Sequence, residues 1–258
     1  MAKQTIVFLH GAGGSAHSWS ALLKQLDSST FAALAIDLPG HGQRADTLPA
    51  EVTISDYAQA VRQIIRQELQ IEKPFLAGHS MGGAIALTLA LEYSQELSGL
   101  ILIGTGARLR VRADLLEGAR TGTSTALQAL ATWSLAPTSS ESQRAQFQEE
   151  LARGAAQLYR DLLACHTFDC MARLGEIQLP TLIVVGAEDQ MTPVKYSQYL
   201  HDHITNSTLQ IISGAGHALM QERPEELARV IAAWLAAAPS TPSPGSCYNT
   251  ASGFPHEQ

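Results

Sequence analysis

The sequence predicts an α/β fold with a doubly wound, mostly parallel sheet of about six strands and a helical cap inserted between strands. Short apolar runs alternate with amphipathic helical patterns along most of the chain, which is typical of strands joined by helical crossovers. The runs are almost continuously apolar, as expected for strands that are buried on both faces. One long interval contains helical patterns without a strand pattern, and this interval predicts the inserted cap.

The predicted strands are residues 4–9, 31–36, 74–78, 98–103, 180–186 and 207–212. Helical patterns occur at residues 18–26, 54–70, 82–94, 194–203 and 224–237. Residues 1–106 and 174–238 are therefore predicted to form the core, and residues 107–173 the helical cap. The cap should lie over the carboxyl ends of the strands, where α/β sheets bind ligands. Residues 239–258 are rich in Pro, Ser and Gly, lack periodicity and are predicted to be a flexible tail.

The apolar side chains of the predicted cap have two possible places. They either fill a small core of the cap itself or line a pocket at the cleft below it. The larger side chains in question are the leucines together with Trp133, Phe147, Tyr159 and Phe168.

The composition limits the functions that the chain can have. Of its 258 residues, 45% are hydrophobic and 16% are charged, which supplies ample material for a buried core. The formal net charge of −7 disfavours nonspecific binding of nucleic acid, which needs a basic face. The sequence has neither an apolar run that could span a membrane nor a signal-peptide pattern. We therefore expect a cytoplasmic monomer or homodimer that acts on a small acyl substrate, does not bind nucleic acid and does not span a membrane.

A glycine-rich turn follows the first predicted strand, in the stretch HGAGGSAHSW. Gly11, Gly13 and Ala16 match the G-x-G-x-x-G/A pattern that binds a dinucleotide pyrophosphate at a helix N-terminus. Asp37 closes the next apolar run, roughly where a ribose-binding acid would then lie. The same kind of turn can instead direct a backbone N–H at an oxygen that becomes negative during acyl transfer. The turn by itself leaves both interpretations open.

The segment Gly78-His79-Ser80-Met81-Gly82 favours the second interpretation. It matches G-x-S-x-G between an apolar strand and an apolar helix, the context in which this motif carries a nucleophilic serine. The sharp turn projects the serine hydroxyl, and the glycines on either side let neighbouring elements pack close to the turn. The following helix directs its positive end at developing negative charge. Ser80 is therefore the predicted nucleophile.

A serine nucleophile needs a base, and the base needs an acid that orients it. In this architecture the acid and then the histidine follow the serine along the chain. Asp189 ends a predicted strand in GAEDQMTP, where the G-x-x-D-x-x-x-P spacing favours it over its neighbour Glu188. His217 lies after the last predicted strand, in GAGHALMQERPEE. Asp189 is the predicted acid and His217 the predicted base, and we expect His10, His41 and His79 to shape loops.

These motifs resemble those of the α/β-hydrolase superfamily, and the resemblance covers nearly all of the chain except the predicted tail. It implies that Ser80, Asp189 and His217 have the roles of nucleophile, acid and base. We expect a reaction that uses neither a cofactor nor a metal. The superfamily commonly begins with an antiparallel hairpin, but only about five residues precede the first strand here, so six strands rather than eight are expected.

The resemblance also assigns the two loops that follow the first two strands. HGAGGS resembles the superfamily's oxyanion loop, with the backbone N–H groups of Ala12 and Met81 as the donors. DLPGHG, residues 37–42, resembles the superfamily's loop after the next strand, so Asp37 belongs to that turn rather than to a ribose site. Arg44 follows this loop where the superfamily usually has a serine.

The predicted reaction is hydrolysis of a carboxylic ester, or of a thioester or lactone, through an acyl-enzyme. A serine at position 80 disfavours haloalkane dehalogenases and epoxide hydrolases, for which the resemblance would require aspartate. The alternatives are a hydrolase-fold protein that binds a ligand and a carbon–carbon hydrolase or lyase, although His79 replaces the asparagine frequent in the latter. An NAD-dependent reductase is disfavoured, because it leaves the three predicted catalytic residues unexplained and the sequence lacks a Tyr-x-x-x-Lys pair.

Residues 108–112 read Arg-Leu-Arg-Val-Arg at the start of the predicted cap. In an extended segment, alternation places Arg108, Arg110 and Arg112 on one side. They form either a solvated basic edge or an anion clamp at the mouth of the cleft, because arginine binds carboxylates and phosphates bidentately. The second interpretation predicts a substrate with an anionic group.

Overall fold

The computed structural model of the protein describes residues 3–237, except for the side chains of residues 124–126. Within this range, six strands form one sheet in which all neighbouring strands are parallel. They are β1 (Gln4–Leu9), β2 (Phe31–Ile36), β3 (Phe75–His79), β4 (Gly99–Ile103), β5 (Thr181–Gly186) and β6 (Ser207–Ile212). The predicted fold class is confirmed. The predicted tail, residues 239–258, lies outside the described residues.

The strand order is β2-β1-β3-β4-β5-β6. The chain therefore starts in β1, adds β2 on one side and then crosses to the other side for the remaining strands. Ligand sites of open parallel sheets lie where this direction reverses, at the carboxyl ends of the strands. That point falls between β1 and β3, which are followed by the glycine-rich turn and by Ser80.

Helices join the strands and extend between β4 and β5. They are α1 (Ser20–Leu23), α2 (Ile54–Gln63), α3 (Met81–Tyr93), α4 (Ala113–Thr121), α5 (Ser124–Ser134), α6 (Glu141–Arg153), α7 (Ala155–Thr167), α8 (Val194–His203), α9 (Leu219–Glu222) and α10 (Pro224–Ala237). The helix predicted at 54–70 changes to a π-helical turn at Ile64–Glu68. Among the described residues, no helix has the length and apolar character needed to cross a membrane.

The two faces of the sheet bury alternate residues of the same strands. In β1, Val7 and Leu9 pack on one face with α2 and α3, whereas Ile6 and Phe8 pack on the other face with α1 and α10. All four side chains are fully buried. Burial on both faces explains why the strands read as continuous apolar runs. The outer strand β6, in contrast, alternates between exposed and partly buried residues before it ends in buried Ile212.

Helices α4 to α7 form a helical insert, residues 113–167, between β4 and β5. The insert has a small apolar cluster of its own, made by Leu115, Leu130, Ala131, Leu151, Leu158 and Leu162. Ala12 from the glycine-rich turn and Met191 from the segment after β5 pack against this cluster. The insert therefore rests on the carboxyl ends of the strands, where the predicted site residues lie.

Candidate active site

Ser80 occupies the turn between β3 and α3. Its backbone angles are φ 51° and ψ −114°, a conformation that is costly for a residue with a side chain and is held only by strong surroundings. The Ser80 N–H donates to the carbonyl oxygen of Ile103 at 3.0 Å. The Ser80 carbonyl oxygen accepts from the Gly83 N–H at 2.9 Å and the Thr105 hydroxyl at 2.8 Å. These contacts fix the strained turn and place Ser80 at the carboxyl end of the sheet.

Two glycines beside Ser80 allow the close approach that this turn requires. A Cβ atom on Gly78 would lie 2.2 Å from the carbonyl oxygen of Gly82, and one on Gly82 would lie 2.3 Å from that of Leu9. Both distances are too short for any side chain. The spacing of the glycines around Ser80 therefore has a steric cause.

Asp189 and His217 are brought together as the sequence predicts. Asp189 follows β5 and His217 follows β6, and Asp189 Oδ2 lies 2.9 Å from His217 Nδ1. Both residues are buried. The same carboxylate accepts the N–H groups of Met191 at 2.9 Å and Thr192 at 2.8 Å, and the Thr192 hydroxyl at 2.9 Å. Burial opposes ionisation of Asp189, but the adjacent His217 charge and the hydrogen bonds from His217 and Thr192 hold the pKa of the carboxyl below its ordinary value.

Two other acidic residues hold the loop that carries His217. Glu188 accepts the Ala215 N–H at 2.9 Å, so this predicted rival of Asp189 contacts the loop backbone. Glu222 is buried and accepts the N–H groups of Gly216 at 2.8 Å and Ala136 at 2.7 Å. Sequence reasoning missed Glu222, although its position five residues after His217 is a usable signal.

His79 and His10 are buried neutral rings beside Ser80 and the glycine-rich turn. His79 Nε2 donates to the His217 carbonyl oxygen at 2.9 Å, and burial together with the His217 charge lowers the pKa of His79 to about 3. His10 Nδ1 donates to the Gly11 carbonyl oxygen at 2.9 Å, while its Nε2 accepts the Leu38 N–H at 3.1 Å. Burial and the His41 charge lower the pKa of His10 to about 4. Both rings make hydrogen bonds that position the backbone of neighbouring loops.

The backbone N–H groups of Ala12 and Met81 belong to two segments that meet at Ser80. A Cβ atom on Gly11 would lie 3.3 Å from the Ser80 Cβ, so the glycine-rich turn and the Ser80 turn are in contact. Met81 is the first residue of α3, where N–H groups have no partner within the helix. In the range 3–237, neither N–H has a hydrogen-bond acceptor in the protein. Both are therefore available to a ligand at Ser80.

Asp37 lies in the turn that the resemblance assigned to it. Its Oδ1 accepts the Ala16 N–H at 2.8 Å and its Oδ2 accepts the Gln43 N–H at 3.0 Å. The carboxylate thus ties the DLPGHG turn to the glycine-rich turn through backbone contacts.

A cavity of about 80 Å³ adjoins Ser80 and His217. A buried water molecule needs about 10–15 Å³ on this measure, so the cavity has room for a group of several heavy atoms. Its apolar lining comes mainly from the helical insert and comprises Leu130, Phe147, Leu151, Leu158, Leu162, Met191 and Met220. Besides Ser80 and His217, five polar side chains line it, those of Ser18, His79, Ser134, Glu150 and Gln221. Of the four aromatic residues considered in the sequence, Phe147 lines the cavity. Trp133 packs in the insert and Phe168 in the core, and Tyr159 is half-buried outside the cavity.

The three arginines at the start of the insert do not line this cavity. Arg112 pairs with Asp114 at 2.7 Å and stacks over the Trp133 ring. Arg108 and Arg110 line a separate pocket whose other residues are Ala107, Met171, Lys195, Tyr196 and Tyr199.

Comparisons with known proteins identify the family to which this fold and this arrangement of Ser80, Asp189 and His217 belong. The chain belongs to the alpha/beta hydrolase family, whose model matches residues 6–230, and the protein is an enzyme of that family. The resemblance drawn from the sequence motifs is thereby confirmed.

Two relatives and one solved structure illustrate the similarity. The "Putative carbamate hydrolase RutD" of Cronobacter turicensis is 29% identical, with 93% of this chain and 92% of the relative covered. The pimeloyl-[acyl-carrier protein] methyl ester esterase of Neisseria meningitidis is 28% identical, with 84% and 88% covered. The structure of a thermophilic esterase is 31% identical and superposes with a TM-score of 0.80, with 90% of this chain and 89% of that chain covered. These proteins are named as hydrolases and esterases.

Proposed function

We propose that the protein is a serine hydrolase that cleaves a carboxylic ester, or a related thioester or lactone, through an acyl-enzyme. The observation that carries this proposal is the buried contact of 2.9 Å between Asp189 and His217 at the cavity that also contains Ser80. An imidazole oriented by a carboxylate beside a strained serine turn is the arrangement that activates a serine hydroxyl.

In the acylation step, Ser80 Oγ attacks the substrate carbonyl carbon while His217 Nε2 accepts the hydroxyl proton. Asp189 keeps the other ring proton on Nδ1 and stabilises the imidazolium that forms. The new Oγ–C bond gives a tetrahedral intermediate. When the C–O bond to the leaving alcohol breaks, the alcohol oxygen takes the proton from His217.

The oxygen of the tetrahedral intermediate is negative and needs hydrogen-bond donors. The Ala12 and Met81 N–H groups have no acceptor in the described protein and adjoin Ser80, which supports their assignment to this oxygen. In related sites the removal of one such donor costs about 3 kcal/mol. The N-terminus of α3 adds a favourable electrostatic field.

Deacylation uses the same residues. Water gives a proton to His217 Nε2 as its oxygen bonds to the acyl carbon, and the proton passes to Ser80 Oγ as the Oγ–C bond breaks. The small cavity favours a short acyl group, and the insert that lines it would act as the cap of this cleft. The names of the two relatives, an esterase and a carbamate hydrolase, also support hydrolysis at an acyl carbon.

Covalent labelling tests the proposal directly. A fluorophosphonate probe should modify Ser80, as mapped by mass spectrometry of the digested protein, and the p-nitrophenyl esters of short acids should be hydrolysed. Ser80→Ala should abolish labelling and lower kcat by about 10⁶-fold without lowering the melting temperature. Ser94→Ala, at the opposite end of α3, is the matched control. Labelling at a different serine would refute the assignment, and an unlabelled, inactive protein would support the ligand-binding alternative.

A further inference from the structure

Glu150 is an acidic side chain of the helical insert that is buried at the cavity containing Ser80. Only 8% of it is exposed, and it lies in α6 next to Leu151, which belongs to the apolar lining. No lysine or arginine is found among the described residues that line this cavity. Burial of an acidic group is unfavourable unless hydrogen bonds or an opposite charge compensate it. Glu150 therefore needs partners at this position.

The protein supplies two neutral partners to Glu150. The Ser18 hydroxyl donates to Oε1, and the Gln221 side-chain amide donates to Oε2 at 2.7 Å. A carboxylate can accept about four hydrogen bonds, so about half of its capacity remains. Ser18 and Gln221 come from the core side of the cavity, and they hold the acidic group at the boundary between insert and core.

We infer that Glu150 forms a subsite for a hydrogen-bond donor of the substrate, and that the substrate is a small ester or related compound bearing an ammonium, amide or hydroxyl group. This inference rests on the proposed function, because it places the donor in the molecule that Ser80 attacks. The cavity is small, so the donor lies within a few bonds of the scissile carbonyl. An ammonium group satisfies both the charge and the remaining acceptor positions, whereas a hydroxyl group satisfies the acceptor positions alone.

Glu150 also lines a second groove, whose lining includes Gly13, Gly14 and Arg153. The donor group can therefore belong to the acyl part or to the leaving alcohol, and the experiment distinguishes these sources. One series of isosteric esters varies the acyl part: methyl 3-aminopropanoate, methyl 3-hydroxypropanoate and methyl butanoate. The other series varies the alcohol: 2-aminoethyl, 2-hydroxyethyl and propyl acetate. Product acid is titrated at constant pH to obtain kcat/KM for each ester.

In one of the two series, kcat/KM of the wild type should be at least about tenfold higher for the ammonium ester than for the apolar ester, methyl butanoate or propyl acetate. The hydroxyl ester should lie between them. Glu150→Gln should reduce the ammonium preference to less than about threefold but keep part of the hydroxyl preference. Glu150→Leu should remove both preferences. The matched control is Glu149→Gln, because Glu149 is the exposed neighbour on the same helix, and it should keep the wild-type pattern.

The rate of fluorophosphonate labelling at Ser80 shows that each variant retains a folded site. Equal kcat/KM values within both series, or preferences that survive Glu150→Leu, would overturn the inference while leaving the proposed function intact. Failure of the wild type to hydrolyse any of the esters or to react with the probe would instead refute the proposed function.

Discussion

The two sides of the cavity at Ser80 are built differently. On the core side, Ser80, Asp189 and His217 lie in turns at the ends of strands, and hydrogen bonds to backbone atoms hold the first two in place. On the insert side, α5, α6 and α7 contribute mostly leucine side chains that pack together, with the acidic residue Glu150 buried among them. The core side fixes the orientation of the proposed catalytic residues, whereas the insert side determines the shape of the cavity. Substitutions on the two sides should therefore change different measured quantities.

Asp161 connects the two sides. This fully buried residue of α7 accepts the Gly13 N–H at 2.8 Å and the Tyr57 hydroxyl at 2.6 Å, and it pairs with His41 Nε2 at 2.8 Å. Gly13 follows Ala12, one of the proposed oxyanion donors. The conformation of the core loop thus depends on an acidic group from the insert.

The largest effect is expected on the core side, for Asp189→Asn. The amide would favour the wrong tautomer of His217, and a loss of about 10⁴-fold in kcat is expected by analogy with serine proteases. Steady-state kinetics with a short p-nitrophenyl ester measure the loss, and circular dichroism checks that the fold is retained. The control is Glu188→Gln, which alters only contacts to the loop backbone. A larger loss for the Glu188 variant would show that the acid is misassigned.

Asp161→Asn alters the residue that connects the two sides. We expect it to lower activity less than Asp189→Asn does but to lower stability more. The Gly13 N–H, the Tyr57 hydroxyl and His41 lose their buried carboxylate acceptor. This loss should lower the free energy of unfolding by about 2–4 kcal/mol. Urea denaturation gives this value. Asp169→Asn is the control, because Asp169 is exposed and follows the same helix. A free energy of unfolding of Asp161→Asn equal to that of the wild type would show that the buried contacts of Asp161 contribute nothing.

The contact between Asp161 and His41 also predicts a dependence of stability on pH. Burial lowers the pKa of His41, but the hydrogen bond and the charge of Asp161 outweigh burial and raise it above its ordinary value. Because the pKa of the folded state is raised, the stabilisation is complete below the ordinary value of 6.5 and declines as the pH rises through the folded value. The difference in unfolding free energy between wild type and Asp161→Asn should therefore be larger at pH 6 than at pH 9. A constant difference would exclude a charged His41.

The core side could be predicted from the sequence, whereas for the insert the sequence predicted the helices but not their polar contacts with the core. The strand bounds agree to within one residue. For β1, β3, β4 and β5 the reason is that a continuous apolar run is stable only where the sheet buries it on both faces. The position of Ser80, Asp189 and His217 at one end of the sheet could be predicted because each follows a strand, and parallel strands place their ends together. For Glu150 and Asp161, helical periodicity shows only that a face is buried. Periodicity does not show which part of the core that face contacts. The contacts of Glu150 with Ser18 and of Asp161 with Gly13 therefore could not be predicted from the local sequence.

The smallest effect is expected for Arg110→Ala, at the edge of the insert. Arg110 is exposed and lines the pocket that contains Lys195 and Tyr196, away from the cavity at Ser80. At physiological ionic strength, exposed charges are screened over about 8 Å, so this side chain should act weakly on a substrate at Ser80. We expect kcat/KM to change by less than about twofold for both an anionic and a neutral ester of equal acyl length. A loss of about tenfold for the anionic ester alone that disappears at high salt would instead support the anion clamp.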